Sequence, residues 1–332
     1  MTEIRWGVLG TGNIGTRFVA DLAQLEDATV HAIASRDATR AEEIAQQYGV
    51  TRAYGDYRAL CEDPEVDAVY VASPHPFHLE HALLAIEAGK AVLVEKPFTM
   101  TGSQARTLVD AARAADVFCM EAMWTRFLPT MVELRRLLGE GVLGEVRALY
   151  ADHGQWFASD PEHRLFAPDL GGGALLDLGV YPVSFASMVL GPPAQVQAAA
   201  TPAFTGVDLT TSALLTYATG AHAVLTCTSG ARTPVTAWVA GDEGRVEIDR
   251  TWYAGGGFTV IPRDGEPWRY DGPPVTGPGA GGREAKGLRF QAAEVGRCVA
   301  AGLRESPVLP LAETIAVMDT LDAISATAAP KP

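Results

Sequence analysis

The sequence predicts a mixed α/β fold in two parts: an N-terminal doubly wound parallel sheet, then an α+β domain with a predominantly antiparallel, open-faced sheet. Short apolar runs alternate with helical patterns from Ile4 to Met120 across brief connections, as a parallel sheet with crossover helices requires. After Met120 the pattern changes. Segments such as Ala194 to Ala200, Ser212 to Tyr217 and Ala223 to Thr228 follow one another across turns such as Ala218-Thr219-Gly220, which suits antiparallel strands. A length of 332 residues also exceeds the size at which one core keeps growing. We therefore expect one domain over 1–120 and a second over 121–332.

Ile4 to Leu9 is a short apolar strand that runs into Gly10-Thr11-Gly12-Asn13-Ile14-Gly15 and a helical pattern to about Leu25. That order is the dinucleotide fingerprint of a Rossmann domain. Gly10 permits the tight turn, Gly12 lets the backbone approach a pyrophosphate, and Gly15 allows the helix to close on the strand. Asn13 and Ile14 open a helix whose N-terminus faces negative charge. The second strand, Val30 to Ala34, ends at Ser35, where NAD-binding versions carry an acid for the ribose 2′-hydroxyl. Arg36 follows, and Arg40 lies one turn along the next helix. An arginine at this offset suits the 2′-phosphate of NADP, so NADP is favoured over NAD. Asp37 reads as the cap of that helix and Gly49 as its end.

A short helix near Tyr57 to Glu62 and a strand from Ala68 to Ala72 lead to Ser73-Pro74-His75-Pro76-Phe77-His78. We read this segment as a loop lining the nicotinamide; no carboxylate or cysteine cluster near His75 and His78 in sequence supports a metal. A helix from about Leu79 to Ala88 precedes Ala91-Val92-Leu93-Val94-Glu95-Lys96-Pro97. Four apolar residues without alternation suit a strand covered on both faces. Glu95 and Lys96 then stand at its carboxyl end, where open α/β sheets bind ligands. Taken alone, Lys96 reads as a solvated strand-end lysine. A helix at Ser103 to Ala115 and a strand at Val117 to Met120 complete the first domain.

The second domain opens on Glu121-Ala122-Met123-Trp124-Thr125-Arg126-Phe127-Leu128-Pro129. A helix to about Leu138 and a strand from Glu145 to His153 follow. Further strands are expected at Val235 to Ala240 and Arg245 to Asp249, then a Gly- and Pro-rich loop or lid over 255–282. Helices around Ala285 to Ala301 and Leu311 to Ala326 finish the chain. Within this domain, Gly171-Gly172-Gly173 enters Ala174-Leu175-Leu176-Asp177-Leu178-Gly179-Val180-Tyr181. In a helix Asp177 and Tyr181, four residues apart, share a face. A tyrosine can exchange a proton with an alcohol or carbonyl when a neighbouring cation lowers its pKa from about 10. The alternative is a core tyrosine and an acid stabilised by the helix dipole.

Composition excludes several classes of function. The formal net charge of -14 and pI near 4.9 oppose nucleic acid or an anionic membrane surface as partner, since both reward clustered Lys and Arg. Cys61, Cys119, Cys227 and Cys298 are far apart, without a metal-ligand spacing, and read as buried free thiols of a reducing cytoplasm. No basic leader followed by an apolar stretch opens the sequence, and no uninterrupted apolar run approaches the ~18 residues of a membrane span.

Taken together, GTGNIG at 10–15, SRD at 35–37, EKP at 95–97, MEAMWTRFLP at 120–129, GGALLDLGVY at 172–181 and ESPVLPL at 305–311 resemble the Gfo/Idh/MocA oxidoreductases. The likeness spans essentially the whole chain. It is greatest to the dimeric dihydrodiol dehydrogenase branch, whose members also act as NADP-dependent D-xylose dehydrogenases. The resemblance implies a Rossmann domain joined to an antiparallel α/β domain whose open sheet face often forms a dimer. It also implies that Lys96 is the catalytic lysine, Tyr181 the tyrosine acid/base and Asp177 its supporting carboxylate. Much of the wider family has histidine where Tyr181 stands, so the sequence sides with the dihydrodiol and glucose-fructose oxidoreductase branches. Glu95 joins the cofactor set with Ser73, Pro74, His75 and His78. Trp124 and Arg126 are expected near cofactor, and Trp124, His153, Arg164 and Asp177 around a sugar or polyol. Residues 156–170 depart from the animal dihydrodiol enzymes, which favours a sugar over an aromatic diol. The alternatives are an NAD-dependent glycosidase working by transient oxidation, or a cofactor-binding sensor without turnover.

Overall fold

The computed structural model describes residues 3–328, and the chain divides into two units. The first contains residues through Thr99, then Ser103–Phe127 and Val275–Thr314; the second contains Met100–Gly102, Leu128–Pro274 and the chain from Ile315.

In the first unit β1 (Ile4–Leu9), β2 (Ala28–Ala34), β3 (Arg52–Tyr54), β4 (Ala68–Val71), β5 (Ala91–Glu95) and β6 (Cys119–Ala122) pair in the order β3-β2-β1-β4-β5-β6. Every pairing is parallel. The connections are α1 (Asn13–Leu22), α2 (Ala38–Tyr48), α3 (Tyr57–Cys61), α4 (His78–Glu87) and α5 (Gly102–Ala114). β4 and β5 are buried along their whole length, which is why they read as apolar runs rather than alternations. The sheet order reverses between β1 and β4, and the β1–α1 turn lies at that switch. The three-residue edge strand β3 carries no apolar run and is not evident from the sequence.

In the second unit α6 (Pro129–Gly139) precedes β7 (Val146–Gly154), and α7 (Val180–Leu190) precedes β8 (Gln195–Pro202) and β9 (Asp208–Thr216). β10 (His222–Thr228), β11 (Ala237–Gly241), β12 (Gly244–Ile248), β13 (Phe258–Pro262) and β14 (Trp268–Tyr270) complete it. The sheet order is β14-β13-β12-β11-β7-β10-β9-β8. Among the described residues of this sheet, the β10–β7 pairing is parallel and the others are antiparallel. α7 packs against β7 and β10 on one face. The expected loop over 255–282 instead contains β13 and β14, which extend the sheet: Phe258 and Val260 alternate inward and are wholly buried, a signal that the flanking glycines and prolines hide. The stretch Pro168–Leu190 holds an 18-residue window apolar enough to cross a membrane, with mean hydropathy 1.5, but 72% of that window is buried inside the fold, as in a core helix.

Residues 275–314, which the sequence assigns to the second domain, pack with the first unit. They carry β15 (Gly277–Pro278), β16 (Glu284–Ala285) and α8 (Arg289–Ala300), and α9 (Leu311–Ala328) follows. The reason lies in Asp21 of α1. This buried carboxylate accepts the backbone N–H groups of Lys286 at 2.7 Å, Leu288 at 2.5 Å and Arg289 at 3.4 Å, partners that it needs because burial raises its pKa.

Candidate active site

In the first unit the fingerprint turn is shaped by what surrounds its glycines. Gly10 has φ +114°, and a Cβ there would meet the Ala72 carbonyl oxygen at 2.7 Å; a Cβ on Gly15 would collide with the Gly10 carbonyl. Gly12, at the N-cap of α1, has nothing within 4 Å of a Cβ position and supplies no side-chain cap. The helix therefore presents its N-terminus to open space, a cradle that fits a dinucleotide diphosphate. Asn13 and Ile14 form its first turn, and the Asn13 side-chain oxygen accepts from Arg283.

Beyond β2, the buried Ser35 hydroxyl accepts the Asp37 N–H at 3.2 Å, and the Asp37 carboxylate accepts the Arg40 N–H at 3.2 Å. Asp37 thus caps α2. Arg36 is exposed, and Arg40 pairs with Glu43 at 3.1 Å.

The segment after β4 divides by burial. Ser73 and His75 are buried near the strand end, with Pro74 exposed between them. His78 is wholly buried, and its Nδ1 and Nε2 lie 2.8 Å and 2.9 Å from the Pro97 and Ser73 carbonyl oxygens. Burial pulls its pKa down to about 4, against those two acceptors. Expected as a cofactor contact, His78 instead joins the ends of β4 and β5, and neither ring nitrogen is turned to a ligand. It is this joint that fixes the backbone beside Lys96.

Lys96 follows β5 and is partly exposed; the Lys96–Pro97 peptide is cis. Behind it, Glu95 accepts the Tyr70 hydroxyl and, at 3.1 Å, the Lys96 backbone N–H. One strand over, Glu121 accepts the Phe98 N–H at 3.2 Å, and burial pushes its carboxyl up to about 7. Trp124 is 9% exposed. Arg126 is interior, ion-paired with Glu313 at 2.5 Å. His31, Asp63 and Glu65 come close enough for a cation, but the Arg52 guanidinium bonds both carboxylates, at 2.9 Å and 2.5 Å.

In the second unit the glycine-rich entry does not open a regular α-helix. Residues Leu175–Gly179 make a π-helical turn before α7 begins at Val180, a widened turn of the kind frequent at functional sites. Asp177 lies in that turn and Tyr181 in the first turn of α7, both buried. Arg164 bonds Asp177 with two nitrogens, at 3.0 Å and 3.2 Å. His153, near the end of β7, meets the Tyr181 ring edge-on at 5.1 Å between centroids and stacks on Tyr253 at 4.2 Å. The Gln155 amide donates to His153 Nε2 at 2.9 Å and to the Tyr253 hydroxyl at 3.3 Å. Asp177, Tyr181, His153 and Arg164 thus all belong to one unit. Tyr253 and Gln155 join them without any signal in the sequence, for neither stands in a motif.

An aromatic cluster with a paired carboxylate and a phenol can hold a polyhydroxylated molecule and exchange a proton with it. The oxidoreductase family model described as an NAD-binding Rossmann fold matches residues 4–123, and the GFO/IDH/MocA C-terminal domain matches 131–247. Trans-1,2-dihydrobenzene-1,2-diol dehydrogenase of Mus musculus is 39% identical over 325 residues, covering 96% of this chain and 95% of that one. The Homo sapiens enzyme of the same name is 36% identical over 326 residues, 97% and 96% of the two chains. Among solved structures, an aldose-aldose oxidoreductase from Caulobacter crescentus complexed with glycerol superposes with TM-score 0.87 at 25% identity, covering 98% and 97%. A 3-ketoreductase from Actinomadura kijaniata in complex with NADP and TDP-benzene gives 0.82 at 28%, covering 98% of each chain. The chain belongs to the Gfo/Idh/MocA family of oxidoreductases and is a nicotinamide-dependent dehydrogenase or reductase of CH–OH groups.

Proposed function

We propose that this protein moves hydride between NADP and a carbinol or carbonyl carbon of a sugar or related polyol. The observation that carries the substrate class is the second-unit cluster. Tyr181 lies against the stacked rings of His153 and Tyr253, 5.1 Å from each, and Asp177 is gripped by Arg164. Aromatic faces and fixed charged bonds suit the faces and hydroxyls of a sugar. When bound, the nicotinamide accepts or returns the hydride. Tyr181 exchanges the hydroxyl proton, Lys96 stabilises negative charge on the phenolic and substrate oxygens, and Asp177 orients the substrate.

NADP is preferred on the ground that β2 ends in Ser35 rather than an acid and that the carboxylate two residues on, Asp37, caps α2. Arg36 is left exposed beside it to meet a 2′-phosphate. The same reading makes the first unit the cofactor domain and the second the substrate and oligomerisation domain. Four buried free thiols support a reducing cytoplasm.

A homodimer through the open sheet face is part of the proposal. Register puts Gln197, Leu214, Val224, Tyr150, Trp238 and Glu247 in one row across five strand pairings, so they share a face. Val224 is 45% exposed, and Tyr150 stacks on Trp238 at 6.1 Å. An apolar stripe of this kind marks an interface.

The test is NADPH fluorescence with a panel of aldoses, polyols and a trans-dihydrodiol. Reduction of NADP by a sugar is expected. Binding of cofactor with no turnover on any of them would favour a sensor, and release of a glycosidic leaving group without net NADPH would favour a glycosidase.

A further inference from the structure

The segment 277–289 lies along α1. Near one end of the helix the Pro278 carbonyl accepts from Gln24 at 2.8 Å, and Asp21 takes the backbone N–H groups already described. At the other end Arg283 donates to the Thr16 hydroxyl at 2.6 Å and to the Asn13 side-chain oxygen. Gly281 is left-handed, φ +62°, and a Cβ there would meet the Tyr48 ring of α2 at 2.6 Å, so the segment is seated on both helices. The chain thereby brings a guanidinium from 267 residues away in sequence onto the first turn behind Gly12. Both partners are neutral, and they use two of its five donors. The adjacent Glu284 carboxylate is paired with Lys286 at 2.7 Å instead.

We propose that Arg283 is a cofactor-affinity residue: it fixes Asn13 and Thr16 and supplies positive charge at the seat of the dinucleotide diphosphate. This rests on the nicotinamide dinucleotide of the family and not on the sugar assignment. It separates Arg283 from Arg36, because the diphosphate is common to NAD and NADP whereas the 2′-phosphate is not.

Equilibrium titration of the full chain with NADPH and with NADH, in the absence of any sugar, tests it. Arg283→Met is expected to raise both dissociation constants by a similar factor of about ten or more, the loss expected for one charge-assisted bond, and to flatten their dependence on salt. Arg283→Lys keeps the charge without the fork and is expected to fall between wild type and Arg283→Met. Unchanged affinity in a folded Arg283→Met protein, or a loss confined to NADPH, overturns the proposal. If Arg283→Met does not fold, wild-type affinity for both cofactors in Arg283→Lys overturns it instead. A wild-type protein that binds both cofactors yet oxidises no sugar would defeat the functional reading and leave this one standing.

Discussion

Arg164 holds Asp177 in a two-pronged pair, Nη1 donating to Oδ1 at 3.0 Å and Nη2 to Oδ2 at 3.2 Å. The two ends differ in environment, since the arginine side chain is 53% exposed and the aspartate 5%. A buried carboxylate is thus paired from the solvent side. Arg164→Met is expected to raise the KM for the sugar by about tenfold, the cost of one charged bond, while leaving the KM for NADP unchanged. Steady-state kinetics with each substrate varied in turn decide this; equal rises in both constants would make the pair a general structural tie.

Arg36 should discriminate between cofactors. Its guanidinium can bond a 2′-phosphate in paired fashion, which the ribose of NAD cannot return. Arg36→Ala is expected to raise the KM for NADP by about tenfold or more and to leave that for NAD nearly unaltered. A uniform loss on both would move Arg36 out of the 2′-phosphate site.

Stability against pH should expose two buried groups that oppose each other. His78 is pulled down to about 4 from 6.5, so the unfolded chain binds its proton first, and stability falls as pH drops from 6.5 towards 4. Glu121 is pushed up from 4.5 to about 7, so the folded chain holds its proton longer, and stability falls as pH rises from 4.5 towards 7. Each is worth on the order of 3 kcal/mol over its window. Glu121→Gln keeps the acceptor for the Phe98 N–H, and its stability relative to wild type is expected to increase with pH between 5 and 7. Urea melts at several pH values read this directly. A constant difference would mean that Glu121 is ionised in the folded protein throughout.

The open sheet row of Leu214, Val224, Tyr150 and Trp238 predicts self-association. Light scattering at micromolar concentration is expected to give twice the 35.1 kDa chain mass, and Val224→Lys or Trp238→Glu to return it to the monomer. A wild-type monomer would leave the stripe without an occupant.

Much of the fold is legible because its signals are local. Ile4–Leu9 is found to the residue, and the GTGNIG turn is read from strand, glycines and helix that adjoin one another. What is not legible depends on distance or burial. Nothing in Asp21 announces that it will take the amides of Lys286 and Leu288, so 275–314 reads as part of the wrong domain. The alternation of Phe258 and Val260 is masked by Gly256, Gly257 and Pro262. His78 looks like a ligand-facing polar residue until its burial shows that two carbonyls already hold it. Asp177 and Tyr181 stand out in the sequence and lie in one unit, but the π-helical turn that holds Asp177 leaves no trace in the apolar pattern, and Tyr253 reaches His153 from a stretch with no motif.

The proton-transfer roles of Tyr181 and Lys96 are tested most directly by pre-steady-state hydride transfer in Tyr181→Phe, Lys96→Met and the double variant, with NADP affinity measured alongside. Tyr181→Phe should bind NADP nearly as wild type and lose about 10²-fold or more in the rate of hydride transfer. Lys96→Met should lose at least as much. The double variant should be little slower than the worse single one, because residues that act as a unit are strongly non-additive. Losses that multiply would show the two acting independently, and an unchanged rate in Tyr181→Phe would return that tyrosine to the hydrophobic core of α7.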